Sequence, residues 1–157
     1  MLPLEYIAGL IDGEGCITIH TRNDRAVSVE HYPVVCLTLG KAKNIVTELK
    51  ERFGGSVRVA YKFHKNGKTS IVDVWKISSR KAYAFLKQIL PYLQIKRRQA
   101  ELVIEFYDGF KAGYRYGASL DEIKRRERIR RLIHKLNGGK SGFKPWNPNG
   151  TIWSFDD

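Results

Sequence analysis

The spacing of apolar positions changes several times along the chain, and each change marks a predicted element. Residues 2–13 carry apolar side chains at helical spacing. Pro3 suits a first helical turn, and Glu5 lies where the helix dipole favours an acid. From Gly15 the period falls to two, with Ile17 and Ile19 alternating with Thr18 and His20 until a polar turn at Asn23 and Asp24. A second apolar run, residues 34–39, closes at Gly40, which makes a hairpin or long ribbon. Ile45, Val46, Leu49 and Phe53 then return to helical spacing over residues 42–53, and Gly54 with Gly55 stops that helix. Residues 56–63 and 70–77 flank Asn66-Gly67, a strong hairpin signal. Ser78 or Ser79 caps a helix over 80–90 that Pro91 ends. Residues 95–111 form another helix, with Ala100, Val103, Ile104 and Tyr107 on one face. After the joint at Gly109, Gly113 and Gly117, Ser119 and Glu122 spell a capping box for a helix reaching Leu136. The tail beyond is rich in Gly, Pro and Asn but holds Phe143, Trp146, Trp153 and Phe155.

Hairpins segregated from helices predict an α+β domain: one antiparallel sheet of two hairpins, helices on one face, the other face open and polar. Residues 1–118 form the core of that domain. Residues 119–157, a basic helix and aromatic tail, belong to the same domain.

Charge narrows the partners. Lys and Arg number 28 against 16 Asp and Glu, a formal net charge of +12. An excess that large repels itself, and a polyanion would relieve it. Nucleic acid and an anionic membrane surface both qualify. No apolar run approaches the roughly 20 residues that span a bilayer, and the N-terminus lacks a secretion pattern, so an intracellular protein is expected. Cys16 and Cys36 lie in apolar stretches without a zinc-ligand spacing and read as free buried thiols.

Residues 7–15 read Ile-Ala-Gly-Leu-Ile-Asp-Gly-Glu-Gly. Gly9 and Gly13 share one helical face, so two such helices can approach backbone to backbone. Asp12 and Glu14 sit at a helix C-terminus, where the dipole disfavours acids and a compensating cation is needed. The segment resembles the signature of the LAGLIDADG homing endonucleases. Two further features support the resemblance, which covers residues 4–108: the order helix, hairpin, helix, hairpin, helices (αββαββα), and the segment Pro91-Tyr92-Leu93-Gln94-Ile95-Lys96-Arg97-Arg98-Gln99-Ala100.

The resemblance implies a metal-dependent endodeoxyribonuclease of the intron-encoded homing type. Glu14 falls on the metal-binding carboxylate, with Glu in place of the more usual Asp, and the Gly13 carbonyl stands beside it. Asp12 has a helix-end hydrogen-bonding role. Lys96 falls on the basic residue near the scissile phosphate, although beside Arg97 and Arg98 it also reads as a plain phosphate contact. Lys41, or else Lys43, is nearest to the polar residue that orders active-site water. The chain holds one copy of the signature, so cutting both strands of a long, near-palindromic target requires a homodimer. Ala8, Gly9, Asp12 and Gly13 would line its interface. Mg2+ is the expected cofactor, with Mn2+ or Ca2+ as other occupants.

The alternation along the hairpins puts basic and hydrogen-bonding residues outward, as a ribbon reading the major groove of double-stranded DNA requires. Expected contacts are Thr18, His20, Arg22, Arg25, Thr38, Arg58, Lys62, His64, Lys68, Asp73, Trp75, Arg97 and Arg98. The basic run over residues 124–131 either grips phosphates or is a solvated helix face. Scattered histidines exclude an HNH-type nuclease. The alternatives are an RNA-binding intron maturase of the same fold and a DNA binder that does not cut. A membrane-surface role is set aside on the strength of the signature.

Overall fold

The computed structural model describes residues 1–23, 29–109 and 118–139. Helix α1 (Leu4–Glu14) runs directly into strand β1 (Gly15–Asn23), which pairs with β2 (Val29–Gly40). Helix α2 (Lys43–Phe53) leads to β3 (Ser56–Phe63) and β4 (Thr69–Ser78). Then come α3 (Ser79–Ile89), a 3-10 turn (Leu90–Tyr92), α4 (Arg97–Asp108) and α5 (Leu120–Leu136). The four strands form one antiparallel sheet in the order β1-β2-β4-β3. The expected α+β architecture is therefore present. No helix among the described residues is long and apolar enough to cross a membrane.

The helix-covered face buries Ile17, Ile19, Val35, Leu37, Trp75 and Ile77 against Ile7, Ile11, Leu49, Phe85, Val103 and Phe106. Removing each such side chain from water is worth about 1.5–3 kcal/mol. Trp75 is fully buried, packs edge-to-face on Phe85 at 5.0 Å, and donates from Nε1 to the Gly54 carbonyl at 2.9 Å. Asp73, on the same face, accepts from the Ala42 amide at 2.9 Å and so caps α2 from a neighbouring strand.

The second hairpin does turn at Asn66-Gly67, with Gly67 at φ 77° and the His64 amide on the Lys68 carbonyl at 2.8 Å closing the loop. Several other local expectations are corrected. Val59, Tyr61, Phe63 and Ile71 keep the expected parity but remain exposed, because the β3–β4 hairpin projects past the helices. The open face is not wholly polar: Val34, Val72 and Val74 are buried there, outside the main core. Only half of the capping box forms. The Ser119 hydroxyl accepts from the Glu122 amide at 3.2 Å, but the Glu122 carboxylate turns to Arg125 and Arg126. The turn at Asp24 and the aromatic tail lie outside the described residues.

Helix α5 is pinned by a buried ion pair. Glu127 accepts from Arg130 at 2.7 Å and meets the His31 ring Nε2 of β2 at 2.8 Å, with both carboxylate and ring nearly sealed from solvent. Burial pushes the Glu127 carboxyl up, but the His31 and Arg130 contacts outweigh it and hold the group below its ordinary value. Ile129 and Ile133 on the same helix enter the core. Removing one partner of a buried pair typically costs about 3 kcal/mol or more. Glu127→Ala is therefore expected to lower the thermal midpoint by about 6–12 °C, read by circular dichroism. A midpoint within a degree of the parent (about 0.3–0.5 kcal/mol) would show that the pair does not hold α5.

Candidate nuclease site

The site is built where α1 meets β1. Gly15 makes that corner possible, because a Cβ there would lie 2.7 Å from the Ile11 carbonyl oxygen. Glu14, the last residue of α1, is exposed and makes no hydrogen bond or ion pair among the described residues. Asp12 is the opposite case, at 9 % exposure. One of its oxygens accepts from the Gln94 amide at 2.7 Å, the other from the Lys96 amide at 2.8 Å. Burial alone would raise the Asp12 carboxyl. The amides of Gln94, Lys96 and Ile95 and the Lys96 ammonium overcome this and hold it below its usual range.

The Lys96 ammonium donates to the main-chain carbonyl of Asp12. It therefore neutralises the negative end of the α1 dipole and lies beside Gly13 and Glu14. This is the cation that two acids at a helix C-terminus demand. The fold thus brings Asp12, Gly13, Glu14 and Lys96 together across more than 80 residues of sequence.

Lys41, expected to order active-site water, makes no hydrogen bond to this cluster among the described residues. It is exposed at the β2–α2 corner with φ 50°. Thr38, half-buried on the open face, follows Leu37, the register partner of Gly15.

The interface expectation is also redrawn. Ala8 is fully buried within its own chain, and the Asp12 side chain is committed to the Gln94–Lys96 segment. The face of α1 left to solvent holds Tyr6, Gly9 and Gly13, with nothing within 4 Å of a Cβ built at either glycine. Leu10 completes that stripe, half-buried.

On the sheet, Thr18, His20 and Arg22 of β1, Thr38 of β2, and Arg58 and Lys62 of β3 fall on the open face as expected. Tyr32 and Lys76 join them, missed because both β2 and β4 carry apolar residues at both parities. Asp73 and Trp75 are corrections: both are buried on the helix side and cannot touch a ligand on the open face. Burial, together with Lys76 and Arg130, lowers the His20 pKa, so its ring is neutral at pH 7 and hydrogen-bonds without charge. Arg22 is exposed and pairs with Glu30 at 2.5 Å. His64 meets the Ser70 hydroxyl at 2.8 Å and Lys68 stands exposed in the same loop, while Arg25 lies outside the described residues. Arg97 folds back onto the carbonyls of Leu93 and Pro91, and Arg98 reaches Glu101 at 3.4 Å. In α5, Arg125 and Arg126 clasp Glu122, and Arg125 also donates to the Phe106 carbonyl, so part of the basic run is internal stapling.

The family description "LAGLIDADG endonuclease" matches residues 7–112, more than half of the chain. The chain belongs to the LAGLIDADG endonuclease family. No curated protein sequence matches it significantly. Among solved structures, the homing endonuclease I-CvuI, in complex with a DNA target, is similar at TM-score 0.59 and 19% identity, over 90% of this chain and 83% of that one. The archaeal intron-encoded homing endonuclease I-Vdi141I, complexed with DNA, gives TM-score 0.59 and 22% identity over 92% and 88%. The LAGLIDADG homing endonuclease I-GzeII, in complex with its DNA target, gives 0.59 and 20%, covering 81% of this chain but 44% of that one. At these identities the likeness establishes the fold.

A LAGLIDADG fold in which the first signature acid is a structural anchor makes a thermodynamic prediction. The folded-state pKa of Asp12 lies below its ordinary 3.8, so its contribution is fully present above that pH and is lost as pH falls below it. Asp12→Asn turns an amide –NH2 toward a backbone N–H and is expected to cost about 1–3 kcal/mol at neutral pH. Urea unfolding from neutral to acid pH should show the parent and Asp12→Asn converging as the parent's carboxylate protonates. A gap that stays constant across that range would contradict the anchoring role.

Proposed function

We propose that this chain is a site-specific double-strand DNA endonuclease, a homing endonuclease that works as a homodimer with a divalent metal. The observation that carries the proposal is the unpaired, exposed Glu14 beside a glycine-faced helix, with Lys96 anchored next to it. Residues 1–118 and the helix and tail of 119–157 act as one domain, consistent with Ile129 and Ile133 of α5 sharing the core.

The Glu14 carboxylate and Gly13 carbonyl offer hard oxygen donors, which suit Mg2+, with Mn2+ and Ca2+ as other occupants. No group of three His, Cys, Asp or Glu that could hold a metal is present among the described residues. One chain thus supplies a partial ligand set, to be completed by water, DNA phosphate and a second copy. When bound, the metal polarises the scissile phosphate and lowers the pKa of ligated water. Lys96 donates to the phosphate oxygens as negative charge builds there, its position held by Asp12. Lys41, exposed at the β2–α2 corner, is the polar side chain that orders active-site water.

Pairing through Tyr6, Gly9, Leu10 and Gly13 sets two such half-sites side by side, one for each strand. I-GzeII, more than twice the matched length, is consistent with a working unit of two such folds. The open face, with Thr18, His20, Arg22, Arg58 and Lys62, follows the major groove, and the net charge of +12 supplies the affinity.

Purified protein incubated with a randomised duplex library is expected to cut at a defined site with Mg2+ and not with chelator. Glu14→Gln is expected to retain binding while cutting falls by roughly a hundredfold or more. Binding without cutting across Mg2+, Mn2+ and Ca2+ would overturn the nuclease reading and leave a DNA-binding protein of the same fold.

A further inference from the structure

Two thiols face each other on the open side of the sheet, one step from the metal-binding end of α1. Cys16 and Cys36 are direct partners in the β1–β2 register, and both sulfurs are unbridged. They were expected to be buried. Instead Cys16 is exposed and Cys36 half-buried, because their parity is that of Thr18 and Thr38, not that of Ile17 and Leu37. Residues directly opposed in an antiparallel pair have Cα atoms about 4.5–5.5 Å apart and project to the same face. That separation overlaps the ~4.4–6.8 Å that a disulfide spans, so closure needs only a local adjustment of the two strands and no change of register. Two sulfurs without a third His, Cys, Asp or Glu nearby, among the described residues, do not make a metal site.

We propose that Cys16 and Cys36 form a dithiol modification site, which a small disulfide such as glutathione disulfide converts to a cross-strand disulfide, slowing the chemistry at Glu14. The second half of this statement rests on the nuclease reading; the first does not. Cys16 loses its proton, and its sulfur attacks one sulfur of glutathione disulfide, releasing one glutathione thiolate. Cys36 loses its proton and attacks the Cys16 sulfur of the mixed disulfide, releasing the second. One S–S bond breaks and one remains in the protein. Two protein thiols are oxidised, one glutathione disulfide is reduced, and its two thiolates take up the two protons.

The consequence for the site follows from packing. Cys16 is the second residue after Glu14, and the intervening Gly15 is seated against the backbone of Ile11 without room for a methyl group. A bond that pulls Cys16 toward β2 therefore acts on the α1–β1 corner that carries Glu14. Lys96, held on the Asp12 carbonyl two residues before Glu14, belongs to the same corner.

The test treats the full-length reduced protein with glutathione disulfide and reads intact mass, alkylatable thiols and a peptide map. The expected product is a monomeric chain lighter by two hydrogens, with no alkylatable thiol, a Cys16–Cys36 linked peptide and full reversal by dithiothreitol. Cutting of the selected DNA site should fall at least tenfold on oxidation and recover on reduction. The double variant Cys16→Ser/Cys36→Ser should show no response. Thiols that stay alkylatable, stable glutathione adducts on both cysteines, or a bridge between two chains would overturn the modification site. A linked peptide with unchanged cutting would overturn its effect on the chemistry. Failure of the nuclease reading shows separately, as reduced protein that binds DNA without cutting it, and DNA affinity then replaces cutting as the readout of the effect.

Discussion

Asp12 accepts hydrogen bonds from the amides of Gln94 and Lys96, and through them the end of α1 is fixed to the segment that joins α3 to α4. Everything at the candidate site depends on that attachment. It buries a carboxylate where the helix dipole opposes one, and the cost is offset by backbone donors and by the Lys96 ammonium on the Asp12 carbonyl. The same contact that keeps Asp12 ionised therefore places Lys96 beside Glu14. The two acids of the signature have divided roles: the first is consumed in holding the site together, and the second is left unpaired and facing solvent.

The positive charge is divided in a similar way. A net +12 reads as one large polyanion-binding surface, yet Arg125, Arg126 and Arg130 are spent on Glu122 and Glu127 in fastening α5. Arg97 is spent on carbonyls next to the site. What remains directed outward on the sheet is a mixed set: cationic Arg58, Lys62 and Lys76 with neutral Thr18, Thr38 and His20. Such a mixture suits reading base edges as well as holding phosphates.

The architecture was largely legible in the sequence because its helices and strands differ in apolar period and are separated by Gly, Pro and Asn. The signature located Glu14 and Gly13 for the same reason: glycine spacing and paired acids are local features. Contacts between distant segments were not legible. Nothing around Gln94 announces that its amide will hold Asp12, and Asp73 looks like any polar strand residue until it caps α2. Parity failed where strands are apolar on both faces. Val72 and Val74 alternate with Ile71, Trp75 and Ile77, so Trp75 could be assigned to either side, and the core claimed it. Val34 and Val35 likewise hid the side taken by Cys36.

The central claim is that each subunit contributes one half-site serving one strand. The most direct measurement isolates a mixed dimer, one subunit parental and the other carrying Lys96→Met, each with a different affinity tag, and follows both strands of the selected target. The account predicts that one strand is cut at close to the parental rate while the other stays intact, so nicked duplex accumulates. Both strands cut together, or neither cut at all, would contradict it.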